Sequence, residues 1–309
     1  MSAVSAASGA LRTLVAGVVD YAGLFPPAAL DMRTAVTNYA QYRASDDAWM
    51  LGRFVVPVSR LDEWSAAVGA LGADEQSAWS GARLSALLSG EFSREAEQIS
   101  ALNAAEPFGV RIDVVEGRTA TPDAVLATAA AMPDDVLLYC ELPHREDPLE
   151  LLQAVKSANV RAKIRTGGVT VDAFPLPHEI VRFLRRCLET SVTAKATAGL
   201  HHPLRGEYRL TYAPDAVLGT MYGYLNVFLA ATALRAGASD AEASAILLAT
   251  DPASLAFASN EVVVAGISVS SAAAAAARNS SVVAFGSCSF LEPVEELGAL
   301  LAGSARASA

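Results

Sequence analysis

Along the chain, short β-branched apolar runs alternate with stretches whose apolar positions recur at helical spacing, the pattern of a parallel sheet joined by crossover helices. Eight runs read as strands, at 17–21, 53–58, 84–88, 110–115, 136–140, 161–164, 192–196 and 282–285. Between them the spacing predicts helices over 32–43, 61–71, 94–103, 122–131, 148–158 and 177–190. Several of these open on Asp, Ser or Pro, residues that cap or start a helix. No strand is charged or proline-blunted as an exposed edge would be, so eight strand–helix units predict an α/β fold, a closed (β/α)8 TIM barrel forming one domain over 1–309.

One interval breaks the rhythm. Lys163 and Lys195 are 32 positions apart, whereas Ala196 and Val282 are 86 apart, so the seventh unit carries a long insertion. Helical patterns at 221–236, 239–250 and 270–278 predict a helical insertion over 201–280, acting as a lid or a subunit contact. The aromatic run Met221 to Phe228 is expected to pack on the barrel, with a substrate-lining lid as the alternative.

Composition narrows the function. With 52% hydrophobic and 18% charged residues, 309 residues can bury a large core, which excludes a disordered chain. The 33 acidic and 23 basic residues give −10, the wrong sign for a nucleic-acid or anionic-membrane partner. No window approaches the ~18 uninterrupted apolar residues of a membrane span. The N-terminal segment lacks the cationic start of a signal peptide, so a cytoplasmic protein is expected. Cys140, Cys187 and Cys288 show neither disulfide-framework nor zinc spacing, and no metal or cofactor is implied.

Of the 23 basic residues 20 are Arg, and the three lysines are Lys156, Lys163 and Lys195. Lys156 falls on a predicted helix, but Lys163 and Lys195 fall on consecutive strands, where side chains at the C-terminal ends converge on one mouth. A second ammonium and burial both lower a lysine pKa, which makes an amine nucleophile for a carbonyl. Asp113, on another strand, could then shuttle protons. The plain alternatives are ion-pairing or snorkelling lysines, and an Asp113 paired with Arg111 or capping a helix. Arg165 reads either as a clamp on a substrate carboxylate or phosphate, or as a partner of Glu141. His201 and His202 point to opposite sides of an extended segment, a poor joint metal site, and one of them could face the mouth as a donor or proton carrier. Cys288 reads as a small buried side chain rather than a reactive thiol.

In order, VVDYAGLFPPAAL (18–30), RIDVVEG (111–117), AKIRTGG (162–168), AKATAGL (194–200) and AFGSCSF (284–290) resemble the strand ends of the deoxyribose-phosphate aldolase family of class I aldolases, in a divergent actinobacterial type. The resemblance implies Lys163 as Schiff-base nucleophile, Lys195 as the amine that tunes it, Asp113 as proton shuttle and Asp20 at the base of the site. It also implies that Gly167, Gly168, Gly199, Gly286, Ser287 and Ser289 form phosphate-binding turns. The chain departs from that pattern at Ile164 and Arg165, at His201-His202-Pro203, and in the long insertion.

The expectation is a lyase that makes or breaks a C–C bond of a small phosphorylated or carboxylated carbonyl compound, with Glu141, Arg165, His201 and His202 among its substrate contacts. A transferase or isomerase with an anion-binding mouth, or a binding or assembly barrel without catalysis, are the competing expectations. A homo-oligomer is compatible with each.

Overall fold

The chain's structure, a computed structural model, describes residues 9–307. Thirteen strands occur in this segment. Those before the insertion are β1 (Val19–Tyr21), β2 (Leu51–Pro57), β3 (Arg83–Leu87), β4 (Arg111–Arg118), β5 (Leu137–Glu141), β6 (Arg161–Arg165) and β7 (Ala194–Thr197). Within it lie β8 (Gly206–Arg209), β9 (Leu218–Met221), β10 (Leu255–Phe257), β11 (Glu261–Val264) and β12 (Ile267–Ser270), and after it β13 (Val282–Ser287).

All eight expected runs become strands of a closed barrel in the order β1-β13-β7-β6-β5-β4-β3-β2, every pair parallel. Closure leaves no edge to blunt, which accounts for the unbroken apolar runs. Helices alternate with the strands, and three of the predicted ones, Met32–Arg43, Pro122–Ala131 and Pro177–Thr190, have the expected ends. Their starts follow from local chemistry. The Asp31 carboxylate accepts the Thr34 N–H, and the Thr121 hydroxyl accepts the Ala124 N–H just before Pro122.

Two details of register set the site. Lys163 on β6 pairs with Glu141 on β5 and with Lys195 on β7, so three charged side chains stand at one level on neighbouring strands. On β4 the ladder to β3 slips by one residue, from Leu84–Ile112 to Ser85–Val114, and leaves Asp113 in a bulge. Beyond the bulge β4 continues three residues past its expected end, through Glu116 to Arg118, which pairs with Glu141.

The insertion is mixed rather than helical. It holds the expected helices, at Tyr224–Arg235, Asp240–Leu248 and Ser271–Ser280, but also the β8–β9 hairpin and the antiparallel sheet β10-β11-β12. The missed strands have only three or four residues each, too short to set a period. One signal was present: Ala265-Gly266 between the EVVV and ISVS segments takes positive φ at both positions, as a two-residue hairpin turn requires. The Asp240 helix begins with a capping box, in which Ser239 and Glu242 satisfy each other's backbone N–H groups.

Helix Tyr224–Arg235 is buried from Tyr224 to Leu234 and packs between helices Pro177–Thr190 and Ser271–Ser280, against β13. Tyr224 stacks on Phe285 with centroids 4.8 Å apart, and Phe228 meets the same ring edge-on at 6.0 Å. The aromatic run therefore packs on the barrel wall, as a crossover helix does. Among the described residues, no helix is long and apolar enough to cross a membrane.

Candidate active site

The C-terminal ends of the strands surround a cavity of about 610 Å³. Its charged lining consists of Glu116, Arg118, Glu141, Lys163, Arg165 and Lys195. The floor is a chain of ion pairs. Lys195 Nζ donates to Asp20 Oδ2 and to Glu116 Oε1, each at 2.6 Å, and Lys163 Nζ donates to Glu116 Oε2 at 2.8 Å. Lys163 also reaches Glu141 Oε2 at 2.9 Å, and Arg118 Nε lies 3.3 Å from the other oxygen of Glu141. The Ser85 hydroxyl completes the shell of Glu116 at 2.6 Å.

Burial makes these contacts consequential. The Lys195, Glu116 and Asp20 side chains are at most 2% exposed and that of Lys163 is 6% exposed. Desolvation alone would raise the Glu116 pKa, but the ammonium groups of Lys163 and Lys195 outweigh it and hold the carboxyl well below the carboxylate range. For Lys195 burial favours the neutral amine, yet Asp20 and Glu116 overcome it and raise its pKa. The neighbouring-ammonium effect expected from two lysines is thus opposed by a carboxylate between them. Asp20 is itself fixed by the Arg53 N–H at 2.7 Å. Gly52 permits this approach, since a Cβ there would lie 2.4 Å from Asp20 Oδ1.

Asp113 is not part of this constellation. Its carboxylate is held bidentately by Arg53, at 2.6 and 2.8 Å, in a pair about one-third exposed at the N-terminal end of the barrel. Glu116, three residues on, takes the place beside the lysines that Asp113 was expected to fill. Its partner is therefore neither Arg111 nor a helix end; Arg111 pairs with Asp135 and Glu106.

Arg165 lines the cavity, but Glu141 is occupied by Lys163 and Arg118, and among the described residues Arg165 makes no ion pair. His201 also lines the cavity; its Nδ1 lies 3.2 Å from Ser287 Oγ, 3.6 Å from Glu292 Oε2 and 3.7 Å from Cys288 Sγ. Burial, with a contribution from His202, pushes the His201 pKa down to about 4, so the ring is neutral near pH 7. Burial pushes the Cys288 thiol up to about 11 and makes it a poor nucleophile. His202 faces away, with Nδ1 2.8 Å from Glu296 and its ring stacked on Tyr208.

Of the glycines and serines expected to form phosphate turns, Gly168, Gly199 and Gly286 line the cavity. A Cβ on Gly167 would lie 2.4 Å from the Phe174 ring, and one on Gly199 2.9 Å from it, while Gly168 faces Ala173. Gly286 reaches the cavity wall. Ser287 Oγ accepts the Ser289 N–H, and Ser289 Oγ accepts the Glu292 N–H at the start of helix Leu291–Ala307. Among the described residues no group of three or more His, Cys, Asp or Glu side chains is placed to hold a metal ion.

No protein-family model matches the chain, and no curated protein matches its sequence.

Proposed function

We propose that the chain is a class I carbon–carbon lyase in which Lys163 forms a Schiff base with a small carbonyl substrate. One observation carries this reading: two buried lysine amines share a single carboxylate, Glu116, on the floor of a cavity at the C-terminal mouth of the barrel. Lys195, held as a cation by Asp20 and Glu116, is the fixed charge. Lys163 is the nucleophile, and Glu141, which lines the cavity and forms an ion pair with it at 2.9 Å, is the proton carrier. Glu116 is too acidic to carry protons near pH 7 and acts as an electrostatic anchor.

The ion pairs around Lys163 do not oppose this chemistry. An ammonium and a carbonyl give an iminium and water, so the floor carries the same net charge before and after. Glu116 and Glu141 therefore stabilise the iminium as they stabilise the ammonium, and only the transient amine needs its proton passed to Glu141. In the cleavage direction a base takes the proton from the β-hydroxyl of the bound substrate, and the Cα–Cβ bond breaks. Its electron pair moves into the enamine and an aldehyde leaves. Protonation at Cα and attack of water on the iminium release the second product and restore Lys163.

The test is reduction with borohydride in the presence of candidate aldehydes and ketones, followed by peptide mass analysis. The expected result is a mass gain on the peptide containing Lys163, absent in Lys163→Ala. No adduct with any carbonyl compound overturns the proposal. That both amines already have carboxylate partners also favours a second reading, a charged mouth for transfer or isomerisation of an anionic substrate. In that case Lys163→Arg keeps substantial turnover.

A further inference from the structure

We infer that Arg165 binds a substrate carboxylate attached directly to the carbonyl carbon, so that the substrates are 2-oxo acids rather than phosphorylated aldehydes. This inference rests on the Schiff-base reading of Lys163 and adds its substrate class.

The first observation is charge balance at the mouth. Lys195 is matched by Asp20 and Glu116, Lys163 by Glu116 and Glu141, and Arg118 contacts Glu141. Arg165 is the cavity-lining cation left without an ion pair among the described residues, and His201 adds no charge near neutral pH. A guanidinium at the mouth of a partly desolvated pocket is a carboxylate receptor with its acceptor missing.

The second observation is position. Arg165 lies two residues beyond Lys163 on β6, and alternation puts both side chains on the same face, about 7 Å apart along the strand. An anion adjacent to the bond formed at Lys163 falls within reach of Arg165, whereas one several carbons away extends past it toward the opposite wall.

The third observation concerns that wall. After β6 and β7, Gly167 and Gly199 abut Phe174, while Gly168 and Gly199 also line the cavity; on the β13 side Ser287 is engaged with His201 and Ser289. The Glu292 carboxylate stands beside them, 3.0 Å from the Tyr212 hydroxyl and 3.6 Å from His201. A phosphate dianion beside Ser287 and His201 would meet the Glu292 carboxylate. The two guanidinium groups that line the mouth, Arg118 and Arg165, lie on β4 and β6.

Reductive trapping on Lys163 tests this with three probes: pyruvate, acetone, which replaces the carboxylate by a methyl group, and dihydroxyacetone phosphate. The expected result is half-saturation by pyruvate at a lower concentration than by either other probe. In Arg165→Met the preference for pyruvate over acetone falls about 30-fold, the size of a lost charge-assisted bidentate contact, and Arg165→Lys restores part of it. Tighter saturation by dihydroxyacetone phosphate, or an unchanged preference in Arg165→Met, overturns the inference while leaving the Schiff base intact. If no probe is trapped, the Schiff-base reading fails, and titration calorimetry of pyruvate against the native chain and Arg165→Met decides the subsite. Binding by the native chain that the variant loses supports it, and absence of binding by the native chain overturns it.

Discussion

Asp113 and Glu116 lie three residues apart on β4, and both are acidic groups held by cations, yet they do different work. Asp113 meets one guanidinium in a pair about one-third exposed, where water screens both charges. Glu116 meets two ammonium groups and a serine hydroxyl on the buried floor of the cavity, where the ammonium groups lower its proton affinity. The distinction comes from depth in the barrel rather than residue type. A carboxylate near the barrel end is a fastening, whereas the one on the floor of the mouth joins two buried ammonium groups.

The sharpest way to break this contrast is to remove the amine while keeping its charge. Lys163→Arg can still pair with Glu116 and Glu141 but cannot form an imine, so turnover should fall at least about a thousandfold. A variant with near-native turnover would instead favour the charged mouth, in which the cation at this position suffices.

Next in size is the stability of the network. Lys195→Met leaves Asp20 and Glu116 buried without their common cation and should cost about 3–5 kcal/mol in urea unfolding. Asp113→Asn, in the screened pair, should cost at most about 1 kcal/mol. Similar losses for the two variants would show that depth does not distinguish the sites.

Between these lies a pH effect from the opposite wall. His201 resists protonation in the folded chain down to about pH 4, while in the unfolded chain it titrates near its ordinary value of 6.5. Stability should therefore fall as pH drops from about 6.5 to 4, by about 3 kcal/mol from this group, and His201→Asn should remove that part of the slope. Between pH 6.5 and 4.5 neither Glu116 nor Lys195 adds to this slope. The Glu116 contribution is complete above its ordinary 4.5 and is lost only as pH falls through its lowered value. That of Lys195 is complete below 10.5 and is lost only as pH rises through its raised value. Equal slopes for the native chain and His201→Asn would mean that the histidine is not buried as described.

The same strand shows what sequence reading could and could not deliver. The barrel was legible because each of its strands has an apolar run long enough to stand out, and the two lysines were legible because they interrupt such runs. Glu116 was missed because Glu-Gly after Val115 reads as the start of a loop, whereas the ladder continues to Arg118. A single-residue bulge at Asp113 also shifts the alternation by one, and parity counted from the start of β4 assigns the wrong face to the residues beyond it. The continued pairing of Arg118 with Glu141 depends on a neighbouring strand and has no local signature. The turn glycines are ambiguous for a related reason, since glycines required by a close-packed ring, as Gly167 and Gly199 are by Phe174, look in sequence like glycines required by an anion.

Barrel closure has a kinetic consequence. β1 carries Asp20 near the start of the chain, yet one of its two neighbours is β13, and its buried ion pair is with Lys195, 175 positions later. During synthesis β1 must wait, half-paired and with a carboxylate facing the nascent interior, until β13 has emerged. Such long-range closure folds slowly and leaves an open sheet edge exposed to association in the meantime. The step that assembles the site is therefore also among the last in folding, so partly built chains should lack the Lys195–Asp20 contact and with it the finished floor of the cavity.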